Sequence, residues 1–164
     1  MRRPLRIIGD GDQYKQRRRL AGPTVRFLGS LADETVRDNY AHCRAMLFPG
    51  DEDLGVVAVE AHSFGRPVVA HGLGRAGGLF AGEPPRPGSA TGVLFARQSV
   101  ESLVEALQVF ESVETRFSPP FIRGQVERFD VSRFKREMAA FVAEKVAAFR
   151  DSVGSGALGQ RLKA

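Results

Sequence analysis

Two glutamates, Glu52 and Glu60, stand in the stretch of this 164-residue chain best suited to hold a phosphorylated ligand: Phe48-Pro49-Gly50-Asp51-Glu52-Asp53-Leu54-Gly55-Val56-Val57-Ala58-Val59-Glu60-Ala61. The pattern reads as a strand, a loop and a helix opened by Gly55. A helix start at a strand's carboxyl end offers unpaired backbone N–H groups and the positive end of the helix dipole, both of which favour phosphate. Glu60 lies over a turn inside that helix, where a carboxylate can accept two hydrogen bonds from a ribose diol. Glu52, in the loop before it, is placed to meet whatever the phosphates carry. The spacing itself is weak support, because eleven glutamates in a chain of this length give about 0.7 such pairs by chance. The setting has to carry the argument.

That setting is a set of short apolar runs separated by helical patterns. Pro4–Ile8 runs into the turn former Gly9-Asp10-Gly11, and a basic helix follows from about Asp12 to Leu20. Val25, Phe27 and Leu28 form a second strand closed by Gly29. Asp33 is placed to cap a helix over Glu34–Arg44 with Val36, Tyr40 and Cys43 on one face. Ala45–Phe48 is a third strand, a helix runs from near Gly55 to Gly65, and Pro67–Ala70 and Gly92–Phe95 are strands four and five. Ser99 caps a helix striped by Val100, Leu103, Val104, Leu107, Phe110 and Val113. A short helix from Pro119 carries Ile122 and Val126. Ser132 is placed to cap the last helix, with Phe134, Met138, Phe141, Val142 and Phe149 on one face. Short strands that are apolar throughout and alternate with helices indicate a parallel sheet covered on both faces, a doubly wound, Rossmann-like α/β fold. The expected domain spans residues 1–150, with a flexible tail at 151–164.

In such a sheet ligands bind outside the carboxyl ends of the strands. Here those ends are Gly9-Asp10-Gly11, Gly29-Ser30, Pro49 to Gly55, and Ala70-His71-Gly72. A single glycine ends a strand for purely structural reasons, but four converging edges form a candidate site. Residues 71–91 hold six glycines and three prolines and read as a long loop.

Composition narrows the classes. Leu, Ile, Val and Phe make up about 27 % of the chain, enough for a packed core. No apolar run approaches the ~18 residues that a membrane span needs, and no secretory signal is visible. The lone Cys43 excludes an internal disulfide framework, and His42, His62 and His71 lack metal-ligand spacing. His71, just past the fourth strand, is expected to face the cleft. The net charge of +5 is concentrated at Arg2-Arg3, Arg6 and Arg17-Arg18-Arg19. A nucleic-acid surface would interleave aromatics with those arginines, and Tyr14 is the only one near, so no nucleic-acid partner is expected.

Phe48-Pro49, Glu52-Asp53-Leu54-Gly55, Glu60-Ala61 and Gly65-Arg66-Pro67-Val68-Val69-Ala70 together resemble the donor-binding domain of retaining glycosyltransferases of family 4, which have the GT-B architecture. The likeness runs back through Ile7–Gly11 and Val25–Leu31, and forward through Thr91–Phe95 to Glu127-Arg128-Phe129 and Phe134. It covers about residues 5–145. Glu52-Asp53 and the 129–141 tail look closest to bacterial mannosyltransferase-like members acting on polysaccharide or lipid-linked acceptors. The resemblance implies that Glu60 binds the ribose hydroxyls of a nucleoside-diphosphate sugar. It implies that Glu52 contacts the transferred sugar as the catalytic carboxylate, and that Gly55 and Val56 hold the distal phosphate beside Leu54. Leu31, after Gly29, would pack near the base, with Gly9 and Gly11 lining the same edge. No metal or other cofactor is implied; positive groups and the helix dipole would stabilise the departing nucleoside diphosphate. The implied location is the cytoplasm, the inner face of the cell membrane included.

The sequence departs from the family pattern twice. Members open this domain with a strand and helix carrying an Arg and a Lys on the phosphates, and this sequence starts past both. The expectation is therefore the partial C-terminal half of a GT-B enzyme, with its acceptor-binding N-terminal domain supplied in cis or in trans. Members also place a Glu shortly after Gly-Gly in the loop following the fourth strand; here Gly77-Gly78-Leu79-Phe80 has none and Glu83 is displaced. The alternative reading is a non-catalytic nucleotide- or phosphosugar-binding module acting with a separately encoded partner.

Overall fold

The computed structural model describes residues 3–50, 55–72 and 89–155. It contains β1 (Leu5–Ile8), α1 (Tyr14–Leu20), β2 (Val25–Gly29), α2 (Asp33–His42), β3 (Met46–Phe48), α3 (Val56–Ser63), β4 (Val68–His71) and β5 (Gly92–Phe95). After these come α4 (Val100–Val113), α5 (Pro119–Val126) and α6 (Val131–Ser155), with single 3₁₀ turns at Glu114–Arg116 and Glu127–Phe129. Every strand pair is parallel, as the apolar runs implied: Leu5 opposite Val25, Met46 opposite Val68, and Val68 opposite Gly92. The fold is α/β and Rossmann-like. Its strands form two hydrogen-bonded groups, β1-β2 and β3-β4-β5, which periodicity within single strands does not reveal.

The β3-β4-β5 sheet is covered on both faces, and the period-two alternation of β-structure sorts its side chains. Val68 and Ala70 pack with Phe48, Ala58 and Ala61 under α3, with Tyr40 of α2 against them. Val69 points the other way and packs with Val93, Phe95, Ala106 and Phe110 under α4. Val68 and Val69 are fully buried, and side chains of that size contribute roughly 1.5–3 kcal/mol each on burial. Two glycines are fixed by this packing. Gly65 turns the chain from α3 into β4 at φ +71°, and a Cβ there would lie 2.8 Å from the Pro119 ring. A Cβ on Gly92 would lie 2.0 Å from the Val68 carbonyl oxygen.

Several local expectations are corrected. Ala32 occupies the N-cap of α2 and Asp33 opens the helix, where its carboxylate faces the dipole; the helix ends at His42, so Cys43 lies just past it and is only half-buried. Ser99 does cap α4, accepting from the Ser102 N–H. Val100, in the first turn of α4, is 74 % exposed, and the buried positions of that helix are Ser102, Ala106 and Phe110. The last helix is capped by Asp130 rather than Ser132. The Asp130 carboxylate accepts from the backbone N–H of Ser132 and Arg133 at 2.8 and 3.2 Å, bonds that hold its pKa below the ordinary value.

The chain divides into two compact units, Met1–Gly124 and Gln125–Ala164. In the second unit α6 carries the apolar stripe read from the sequence, with Phe134, Phe141 and Phe149 all exposed. Residues 156–164 of the expected tail lie outside the described residues.

Candidate functional site

The carboxyl ends of β1 and β2 are tied together by the Gly9 N–H, which donates to the Gly29 carbonyl at 2.8 Å. Gly9 and Gly29 have φ of +123° and +70°, and a Cβ on either would meet nothing within 4 Å. Backbone conformation, not crowding, selects glycine at both. Gly11 likewise faces open space, and its carbonyl accepts from the Tyr14 N–H as α1 begins. Leu31 is half-buried in the short link from β2 to α2. Tyr14, the aromatic nearest the arginine cluster, sets its ring edge-on to Phe27 at 5.4 Å.

Past the end of β3, Gly55 adopts the left-handed conformation (φ +66°, ψ 53°) as the N-cap of α3. Phe48 explains the choice of residue here, because its ring lies 3.3 Å from where a Cβ would stand. The Gly55 carbonyl accepts from Ala58 and Val59, so the Val56 and Val57 N–H groups lie ahead of the first helical bonds. Val56 is 56 % exposed, so this helix start opens to solvent. Glu52 and Leu54 fall outside the described residues, as do Gly77, Gly78 and Glu83 of the long loop.

Glu60 is exposed on α3 and lines a cavity of about 460 Å³ between α2 and α3. Asp33, Val36, Arg37 and Tyr40 line it from α2, and Ser63 and Phe64 from the end of α3. The Tyr40 hydroxyl donates to Glu60 Oε2 at 3.0 Å, and the Tyr40 ring stacks on Phe64 at a centroid separation of 5.9 Å. Burial first, then the hydrogen bond to the Glu60 carboxylate, pushes the Tyr40 phenol well above the ordinary tyrosine pKa. The phenol is therefore a permanent donor. The sequence singled out Glu60 but treated Tyr40 only as part of an apolar helix stripe. Its partner lies twenty residues away across a helix–helix contact, and no local pattern signals such a pair.

The histidines sort by burial. His71 does not face the cleft: it is buried and packs on the Phe95 ring at 5.6 Å. The alternation of β4 puts it on the same side as Val69. His62 is fully buried in α3, and its Nε2–H donates to the Thr91 carbonyl at 3.1 Å. Burial pushes the Cys43 thiol above its ordinary pKa. Among the described residues no group of three or more His, Cys, Asp or Glu is gathered as a metal site.

The family description "glycosyl transferases group 1" matches residues 2–110, which hold the five strands of the described residues, the Gly55 helix start and Glu60. The chain belongs to this family. This glycosyl transferase group 1 chain is 33 % identical over 130 residues to the sulfoquinovosyl transferase SQD2 of Arabidopsis thaliana; the match takes in 77 % of the chain and 25 % of that protein. Its fold matches sucrose-phosphate synthase from Thermosynechococcus elongatus with a TM-score of 0.72 at 24 % identity, over 88 % of this chain and 39 % of the other. It also matches the Anabaena protein HepE solved with UDP-glucose, with a TM-score of 0.63 at 25 % identity, over 86 % of this chain and 41 % of that one. This group 1 chain thus spans a quarter of the curated relative and about two-fifths of the solved chains.

Proposed function

We propose that this chain is the donor-binding half of a retaining glycosyltransferase, holding a nucleoside-diphosphate sugar whose hexose passes to a polysaccharide or lipid-linked acceptor. The observation that carries the reading is the α3 start: a left-handed Gly55 past the end of β3, the Val56 and Val57 N–H groups ahead of the first helical bonds, and an exposed carboxylate at Glu60. The Val56 and Val57 amides and the helix dipole would take the distal phosphate. Glu60 would accept the two ribose hydroxyls, and the cavity beside it is within the usual 300–1,000 Å³ range of small-ligand pockets. The base would lie toward Asp33, two residues past Leu31. Glu52 would contact the transferred sugar.

Departure of the diphosphate leaves an oxocarbenium-like sugar, and the helix dipole together with backbone donors would stabilise the leaving group's charge. HepE was solved with UDP-glucose, which makes a uridine nucleotide the first donor to try. The Glu52-Asp53 pattern keeps a mannose donor in the same series. An acceptor-binding domain, in cis or in trans, completes the enzyme in this reading.

Calorimetric titration of the chain with UDP, GDP, ADP and their hexose conjugates tests it. One nucleotide should bind saturably, and Glu60→Gln should weaken that binding by roughly tenfold, the loss expected for a hydrogen bond to a charged group. A folded chain that binds none of them overturns the reading.

A further inference from the structure

We infer that Tyr40 is a positioning residue for the Glu60 carboxylate, fixing its orientation so that one edge of it faces the cavity ready to receive a vicinal diol. This rests on the donor-site reading above and assigns a determinant of ribose recognition on α2, outside the α3 segment. The Tyr40 ring is anchored rather than free. It stacks on Phe64 with an interplanar angle of 24° and packs against the cluster of Phe48, Ala58, Ala61, Val68 and Ala70. Its hydroxyl lies 3.0 Å from Glu60 Oε2.

A carboxylate offers about four lone-pair positions and a phenol supplies a single proton. Tyr40 therefore engages one position on Oε2, and Oε1 has no protein partner among the described residues. A lysine or arginine in its place would neutralise the carboxylate and compete for the same lone pairs. A neutral, always-protonated donor fixes the orientation while leaving the full negative charge for the ligand. Glutamate is among the side chains that lose most rotamer freedom when immobilised, so a carboxylate already held by the protein spares the ligand that cost. Glu60, Tyr40 and Phe64 line the same cavity, so the oriented group lies where the diol would enter.

The test compares the diphosphate that titrates best among UDP, GDP and ADP with its 2′-deoxy counterpart, on four proteins: the unaltered chain, Tyr40→Phe, Glu60→Gln and the double variant. Tyr40→Phe keeps the ring and its stacking, and thermal melting verifies that it folds. Affinity for the ribonucleotide should fall about three- to tenfold in Tyr40→Phe, no more than in Glu60→Gln, the scale expected when the preorganisation of one charged-group hydrogen bond is lost. Affinity for the deoxy form, which keeps only the 3′ hydroxyl for Glu60, should fall less, so discrimination between the two narrows. The double variant should bind like Glu60→Gln alone, because both changes remove the same interaction. A merely structural role for Tyr40 would weaken both nucleotides equally, and that result overturns the inference. So does undiminished discrimination in Tyr40→Phe. Failure of the unaltered chain to bind either nucleotide overturns the donor-site reading itself, and the Tyr40 assignment with it.

Discussion

His62 shows how one side chain can link stability to acidity. It is fully enclosed within α3, and desolvation lowers its pKa to about 4, against a smaller opposing effect of its bond to the Thr91 carbonyl. The unfolded chain takes up this proton near the ordinary histidine value of about 6.5, whereas the folded chain resists until about pH 4. Between those values the unfolded state binds more protons, so stability is fully present above the window and falls as pH drops through it. Urea unfolding should register ~3 kcal/mol of this loss between about pH 7 and pH 4, and His62→Gln should flatten that part of the profile. The sequence excluded histidine metal spacing but could not rank the three rings by burial, because burial depends on which strand and helix face each other. For the same reason the place of Glu60 on α3 was legible and its Tyr40 partner was not. Gly55 was legible because a loop-to-helix junction at a strand end has a local signature. His71 was misread because strand β4 is covered on both faces, so a position past its apolar run still lies inside.

At the scale of elements, the β4–β5 pairing depends on the absence of a side chain at one position. The Val68 carbonyl oxygen lies 2.0 Å from where a Cβ on Gly92 would stand, closer than any real contact, and Val68 is opposite Gly92 in the ladder. Gly92→Ala must shift one strand, and with it the packing of Val69, Val93 and Phe95 beneath α4. A loss of about 3 kcal/mol or more is expected, in the upper range for single substitutions that strain a core. Gly11→Ala, at a position with open space and no left-handed backbone, should change stability by no more than roughly 1 kcal/mol in either direction. Parallel denaturant titrations check the pair. Apolar runs located all five strands, and Ser99 located the start of α4. The division of the strands into β1-β2 and β3-β4-β5 was not legible, because pairing is a non-local choice between segments that each look like a buried strand. The same limit applies to α6, whose stripe of Phe134, Phe141 and Phe149 was read correctly as a helix face and is exposed.

For the whole molecule, a ligand that binds only the folded first unit should raise the free energy of unfolding by mass action. The donor groups described here, the Val56 and Val57 amides and Glu60, belong to the unit Met1–Gly124, and the group 1 family match at residues 2–110 lies inside it. At a concentration ten times its Kd, a nucleoside diphosphate contributes about 1.4 kcal/mol. For a domain of this size that corresponds to a rise in Tm of roughly 3–8 °C. The rise should be confined to the transition in which the β3-β4-β5 core melts. Phe95 and Phe117 report on it, being packed within or against the cluster under α4, whereas Phe141 and Phe149 lie on exposed α6. Fluorine labels on these phenylalanines, followed by NMR during heating, separate the two units. A shift in the first pair without a shift in the second is expected when the nucleotide sits at the α3 start. An equal shift in both would mean that the ligand acts on the two units together, and would move the binding site away from Gly55 and Glu60.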